Sequence, residues 1–174
     1  MMPISALRQT EEEANTRAPV LVLGVGNILL RDEGVGVRVV EALQQVTLPD
    51  GVEVLDGGTA SMALLDCLSD RGRVIVIDAV KGNHHPGTIY RFSPTDVGIH
   101  REITTSLHQL DLLDALAQLE FLGCAPRDVG LYGIEPKEVS LGLELTPEVK
   151  AALPRVIELV LSELMTSALP GASA

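Results

Sequence analysis

Two short runs of consecutive apolar residues set the strongest limit on how this chain can fold. They are PVLVLGVG at residues 19–26 and RVIVIDAV at residues 73–80. A strand that is apolar on both faces needs cover on both faces, which the parallel sheets of α/β proteins provide. Segments with helical spacing of apolar residues alternate with such runs along the chain. This order predicts an open, mostly parallel sheet with helices on both faces.

The rest of the pattern completes one folded unit between two tails. Further strands are predicted at 52–59, 87–94 and 128–136, and helices at 32–46, 61–70, 106–123 and 146–165. The last helix has Thr146 as its N-cap and Pro147 at its first position, while Pro154 predicts a kink or a division into two helices. We expect a polar tail at 1–18, a single domain at 19–165 and a flexible tail at 166–174.

Composition excludes several classes of partner. The net charge of −11 disfavours nucleic acid and anionic membranes, and aromatic residues at 2% leave no stacking platform for single strands. Cys67 and Cys124 lack metal-site spacing and indicate small buried side chains in a reducing compartment. The sequence shows no signal-peptide pattern and no apolar run near the ~20 residues that span a membrane. We expect a cytoplasmic monomer without membrane insertion.

Acidic residues follow the first three predicted strands. Asp32 and Glu33 come after the first strand, Asp56 ends the second, and Asp78 ends the third. The carboxyl ends of parallel strands meet at one edge of a sheet, where α/β proteins bind their ligands. We therefore expect these carboxylates to approach one another. An alternative for Asp32 and Glu33 is capping of the helix that follows them.

The first turn also resembles a phosphate-binding loop, since Gly24 and Gly26 form a Gly-x-Gly after a strand. Leu29 stands at the third glycine position, and no P-loop lysine is present. Each nearby negative charge would repel a phosphate charge by about 1 kcal/mol in water, and by more in a dry site. A nucleotide is therefore disfavoured, although Asp56 could imitate the acid that binds a ribose.

One histidine can join the carboxylates. The other three occupy polar segments and are expected to be exposed: His84, His85 and His100. His108 instead stands at the opening of a predicted helix, where a side chain faces the loops. With Glu33 and Asp78 it would form a carboxylate–carboxylate–imidazole set, which suits Zn, Ni, Fe or Mn.

Five sequence blocks together resemble a known family. They are LVLGVGNILLRDEGVGVRVVEAL, VEVLDGGTASMALL, VIVIDAV, SLHQLDLLDAL and LGLELTPEV. They are similar to the hydrogenase maturation endopeptidases, which cleave a C-terminal extension from the large subunit of NiFe hydrogenases. The resemblance covers residues 19–165 and implies a three-layer α/β/α fold around a twisted, mostly parallel five-stranded sheet. Its one antiparallel strand would be GTIYRF.

The resemblance also assigns site residues. It places the metal-binding residues of the family on Glu33, Asp78 and His108, which the edge rule and helix position had grouped. The Asp-Gly-Gly of the substrate cleft falls on residues 56–58, that is Asp56, Gly57 and Gly58. Around His108 the sequence departs mildly, with Leu107 and Asp111 where relatives can have Pro and Gly.

The implied reaction is hydrolysis of one peptide bond in a precursor that already carries nickel. The nickel would belong to the substrate and serve as its recognition element, so no nucleotide cofactor is expected. Asp32 and Asp56 are candidates for the general base or for positioning of the substrate. The loops at 81–87 and 97–104 are the expected edges that select the partner hydrogenase.

Two other functions remain open at this stage. A nickel-binding chaperone would use the same three ligands without cleaving anything, and stoichiometric nickel binding without cleavage would favour it. A dinucleotide-binding module would use the glycines and Asp56, and it predicts NAD or flavin binding that survives Glu33→Ala.

Overall fold

The computed structural model describes residues 17–59, 62–96 and 107–167, which contain a five-stranded sheet and its helices. The strands are β1 (Val20–Val25), β2 (Val52–Gly58), β3 (Arg73–Ala79), β4 (Ile89–Phe92) and β5 (Asp128–Ile134). The helices are α1 (Val35–Leu43), α2 (Met62–Leu68), α3 (Leu107–Leu122) and α4 (Pro147–Ser167), with 3-10 turns at Arg31–Gly34 and Pro94–Asp96. The predicted tails lie largely outside the described residues.

The sheet has the predicted mixed topology. Its strand order is β2-β1-β3-β5-β4, in which β4 alone runs antiparallel to its neighbour. The segment GTIYRF therefore supplies the antiparallel strand, as predicted. No helix in the described ranges is both long and apolar enough to cross a membrane.

Successive side chains of the central strands pack into two separate hydrophobic cores, one on each face of the sheet. On β3, Ile75 and Ile77 pack with residues of α1 and α4, whereas Val74 and Val76 pack with residues of α2 and α3. This follows from the period of two in a strand, which sends successive side chains to opposite faces. The continuous apolar run of β3 is thus explained by burial on both faces.

Helix α1 lies directly on the sheet because glycines remove the side chains between them. A Cβ atom on Gly36 would lie 2.2 Å from the carbonyl oxygen of Ile77 and 2.4 Å from that of Val25. A Cβ atom on Gly24 would lie 2.3 Å from the carbonyl oxygen of Gly36. Both approaches are too close for any larger residue, so the start of α1 is fixed against β1 and β3.

Of the two outcomes predicted for Pro154 in helix α4, a kink or a division, the structure excludes the division. Pro154 does not divide it, since a single helix runs from Pro147 to Ser167. Pro154 and Lys150 are both exposed, so water can bind the residue 150 carbonyl that loses its helical partner. The helix begins at the predicted position, with Thr146 before it.

Glu163 ties α4 to the sheet. Its carboxylate accepts hydrogen bonds from Arg73 Nη2 at 2.5 Å, Arg91 Nη2 at 2.7 Å and the Tyr132 hydroxyl at 2.5 Å. Burial by itself raises the pKa of Glu163, but the hydrogen bonds from Arg91 and Tyr132 and the two positive charges outweigh it, so the pKa lies below its ordinary value. Burial and the bond to Glu163 raise the pKa of Tyr132 to about 12.

We expect Glu163→Gln to lower the free energy of unfolding by about 1–3 kcal/mol at neutral pH, because it weakens charge-assisted hydrogen bonds. The pKa of Glu163 is lowered in the folded state, so its contribution is complete above about pH 5 and is lost as pH falls through the lowered pKa. Urea unfolding at several pH values measures both effects.

The matched control for this prediction is Glu158→Gln on the same helix. Glu158 pairs with Arg155 on the exposed face at 2.6 Å, so its loss should change stability by less than about 0.5 kcal/mol. A stability difference between wild type and Glu163→Gln that grows toward low pH would contradict the assignment.

Candidate active site

The turn after β1 carries the first pair of acids. Asp32 and Glu33 lie in the 3-10 turn that precedes α1, and the N-cap of α1 is Gly34, with no side-chain hydrogen bond. The prediction of Asp32 as the N-cap of this helix is therefore wrong, whereas a favourable interaction of Glu33 with the helix dipole stays a prediction. Gly26 allows the turn to close: its φ is 131°, and a Cβ atom there would lie 1.9 Å from the carbonyl oxygen of Glu33.

Glu33 and Asp78 are brought to the same edge of the sheet. Asp78 directly follows Ile77, whose carbonyl oxygen touches Gly36 at the start of α1. Glu33 lies three residues before Gly36 and is half-buried. Asp78 is buried, and its Oδ1 accepts a hydrogen bond from the N–H of Ala79 at 2.8 Å. Both residues therefore lie at the edge that the topology predicts, while the approach of their carboxylates stays a prediction.

His108 is the second residue of α3, which places its backbone at the predicted helix opening. Its side chain and residues 97–106, including His100 and the predicted recognition loop at 97–104, lie outside the described residues. Among the described side chains, no three His, Cys, Asp or Glu residues form a group that could hold a metal ion. The metal-ligand roles of Glu33, Asp78 and His108 thus all stay predictions. His84 and His85 are exposed, as predicted.

Asp56 faces a cleft beside the glycine turn. The cleft has a volume of about 320 Å³ and is lined by Gly26, Asn27, Ile28, Leu29, Val37, Asp56, Gly58 and Thr59. Asp56 is exposed, and its Oδ1 accepts a hydrogen bond from the N–H of Gly58 at 2.8 Å. Gly57 lies inward, where a Cβ atom would come within 2.9 Å of the Leu23 side chain. Asp56 therefore borders the cleft and is open to solvent.

Asp32 has a different environment from the other acids. It is fully buried, and its carboxylate accepts four hydrogen bonds from the other end of the chain. The donors are the N–H groups of Lys137 and Glu138, each at 2.9 Å, the N–H of Thr146 at 2.7 Å and the Thr146 hydroxyl at 2.8 Å. A carboxylate held in this way suits a positioning role better than that of a general base.

Backbone hydrogen bonds join the same two parts of the chain. We name them the β1–α1 loop (residues 26–34) and the β5–α4 loop (residues 135–146). The N–H of Gly142 donates to the carbonyl of Leu29, and the N–H of Arg31 donates to the carbonyl of Gly142, both at 2.9 Å. Together with the hydrogen bonds to Asp32, these bonds join the two loops into one rigid unit, which includes Glu33.

Six of the nine N–H groups of the β1–α1 loop donate hydrogen bonds within the protein. Protein oxygens accept the hydrogen bonds of Gly26, Leu29, Leu30, Arg31, Asp32 and Glu33. A phosphate-binding loop instead directs several such groups at its ligand. The turn is therefore poorly suited to a phosphate, in agreement with its two acids.

Glu135 is a residue of this edge that the sequence interpretation missed. It directly follows β5, is 6% exposed, and accepts hydrogen bonds from the Tyr90 hydroxyl and, at 2.7 Å, from the N–H of Gly82. Burial and the bond to Glu135 raise the pKa of Tyr90. These contacts order the loop at 81–87 beside Asp78. The edge rule that selected Asp78 would also have selected Glu135, had it been applied to the last strand.

Comparison with known proteins identifies relatives of this chain. The family model described as hydrogenase maturation protease, HycI, matches residues 37–163. The hydrogenase 2 maturation protease of Escherichia coli (strain K12) is 44% identical over 150 residues, which cover 85% of this chain and 92% of that protein. The hydrogenase expression/formation protein HupD of Thiocapsa roseopersicina is 38% identical over 151 residues, covering 83% and 67% of the two chains.

Solved structures agree with the sequence comparison. The hydrogenase maturating endopeptidase HybD from Escherichia coli superposes with a TM-score of 0.78 at 44% identity, covering 86% of this chain and 93% of that one. The NiFe hydrogenase maturation protease HybD from Thermococcus kodakarensis gives a TM-score of 0.69 at 31% identity, covering 83% and 98%.

Replacing Asp32 tests whether it positions the site or acts as a base. We expect Asp32→Asn to lower the free energy of unfolding by about 2–4 kcal/mol, because its amide group would meet buried N–H donors. Urea unfolding measures the loss, and Glu138→Gln, an exposed change on the same unit, is the control. Normal stability combined with lost catalysis would instead identify Asp32 as the base.

Proposed function

Since this chain belongs to the hydrogenase maturation protease family, we propose that it removes the C-terminal extension of a hydrogenase large-subunit precursor that already carries nickel. The family match covers most of the folded domain. Beyond the family assignment, the proposal states that the precursor is loaded with nickel and that Glu33, Asp78 and His108 bind this nickel. Its substrate is a protein, and the nickel belongs to that substrate.

The observation that carries this proposal is that Glu33 and Asp78 lie on segments that come together at the same edge of the sheet, where Gly36 contacts the carbonyl oxygen of Ile77. Two carboxylates there, together with the imidazole of His108 as the predicted third ligand, would provide oxygen and nitrogen donors that suit Ni²⁺. The precursor's own cysteine thiolates would hold the ion from the other side. Docking of the ion against these residues would place the peptide bond to be cleaved in the cleft beside Asp56.

The reaction is the addition of water to the carbonyl carbon of that bond. The carbon–nitrogen bond then breaks, the new amino terminus takes a proton, and the mature large subunit keeps the new carboxylate. Two routes to the attacking water fit the site. A carboxylate, with Asp56 the exposed candidate, can remove the proton as general base, or the substrate's nickel can polarise the carbonyl or the water.

Recognition of the partner hydrogenase belongs to the loops around this edge. We assign it to the loop at 81–87, which Glu135 and Tyr90 order, and to residues 97–104. The same proposal includes a monomer that acts in the cytoplasm on a folded precursor and needs no nucleotide. The absence of a nucleotide from this proposal is supported by the β1–α1 loop, whose N–H groups mostly donate hydrogen bonds to protein oxygens.

The first test is the intact mass of a nickel-loaded large-subunit precursor before and after incubation with the protein. We expect the loss of one C-terminal peptide with nickel, and no loss from a metal-free precursor. Glu33→Gln should abolish cleavage while Glu41→Gln, an exposed change on the outer face of α1, should not. Stoichiometric nickel binding without cleavage would favour the chaperone, and NAD binding that survives Glu33→Ala would favour the dinucleotide module.

A second test concerns Asp56. Because Asp56 is exposed and accepts only a local hydrogen bond from Gly58, we expect Asp56→Asn to leave the melting temperature unchanged. If Asp56 is the base, the cleavage rate at saturating precursor should fall by a factor of about 10²–10⁴. A rate within about twofold of wild type would remove Asp56 from the chemistry and leave the substrate's nickel as the activating group.

A further inference from the structure

We propose that the exposed apolar side chains of the β1–α1 and β5–α4 loops form the surface on which the precursor docks. This surface, the apolar face, consists of Ile28, Leu29, Val139, Leu141 and Leu143. The inference rests on the proposed function, because it names the surface that holds the protein substrate of that reaction. It concerns binding of the substrate rather than its chemistry.

Exposure of this face is high and concentrated. The exposed fractions are 36% for Ile28, 55% for Leu29, 41% for Val139, 83% for Leu141 and 58% for Leu143. These are half of the large apolar residues that are exposed within the described parts of the chain. They belong to two segments that backbone hydrogen bonds hold together at Gly142. Clustered exposed apolar side chains of this kind mark sites of protein interaction.

The loops cannot turn these side chains inward. Asp32 fixes the backbone at residues 137, 138 and 146, and Gly142 is paired with Leu29 and Arg31. The backbone on both sides of Leu141 and Leu143 is thus held in place, so the leucines stay in water in the free protein. Contact with another apolar surface would release that water and favour association.

The position of the face indicates which partner covers it. Ile28 and Leu29 also line the cleft that contains Asp56, and Glu33 lies four residues after Leu29. A precursor whose C-terminal segment enters the cleft would contact Ile28 and Leu29, and the β5–α4 loop, hydrogen-bonded to Leu29 through Gly142, presents the other three side chains beside them. The face is continuous with the cleft, which commits it to the substrate rather than to an unrelated protein.

The rim of the face has the charges of a protein interface. Glu138 pairs with Arg31 at 3.4 Å, and Glu144 approaches Lys150 at 3.9 Å, both with exposed side chains. An apolar centre with a charged rim is typical of protein–protein contacts. The net charge of −11 disfavours an anionic membrane as the occupant.

The experiment measures cleavage of the nickel-loaded precursor as a function of its concentration. We expect Leu141→Ser to raise KM about tenfold and to leave kcat unchanged, because the lost contact serves binding only. Val139→Ser should raise KM as well, and the double variant should raise it further. All variants should keep the wild-type melting temperature, since the side chains are exposed.

The matched control is Leu122→Ser. Leu122 is 67% exposed at the end of α3, which leads to the start of β5 at the opposite edge of the sheet, so its KM should equal that of wild type. Wild-type cleavage combined with an unchanged KM in both face variants would overturn the docking inference and leave the proposed function intact. Absence of cleavage by the wild type would overturn both.

A second copy of this chain is the rival occupant of the face. Sedimentation of the wild type and of Leu141→Ser without precursor distinguishes the two. We expect both proteins to sediment as monomers. A wild-type dimer that Leu141→Ser dissociates would overturn the inference, because the face would then be a self-association surface.

Discussion

The contact between Gly36 and the carbonyl oxygens of β1 and β3 determines the depth at which α1 sits on the sheet. With no side chain between them, the helix start and the strand ends approach to backbone distance. Everything at this edge depends on that approach. The close approach determines how near the turn that carries Glu33 lies to the sheet edge that carries Asp78. It also limits the space available for the cleft beside Asp56.

Asp32 and Glu33 are neighbours in sequence with opposite tasks. A buried carboxylate is expensive to desolvate unless donors surround it, and Asp32 has four of them. This charge holds the β5–α4 loop against the turn. Glu33, one residue later, is only half-buried. The carboxylate of Asp32 is thus used to hold the loops together, and this gives the neighbouring Glu33 a rigid backbone.

The sequence was sufficient for much of this architecture. Apolar runs and helical spacing identify the strands and helices, because burial on two faces leaves a strong local signature. The edge rule groups Glu33 with Asp78, since parallel strands must end together. The role of Asp32 could not be read in the same way. Its donors lie 105 to 114 residues away, and backbone N–H groups leave no mark on the side-chain sequence.

The contact between the β1–α1 and β5–α4 loops also determines when, during synthesis of the chain, the turn that carries Glu33 can take its final structure. Glu33 leaves the ribosome early, but the groups that hold its turn in place, from Lys137 to Thr146, are added more than a hundred residues later. A nascent chain that ends before Thr146 carries Glu33 and Asp78 without the support that fixes their surroundings. The turn that carries Glu33 therefore reaches its final structure only after residues 137–146 have been made, late in the synthesis of the chain.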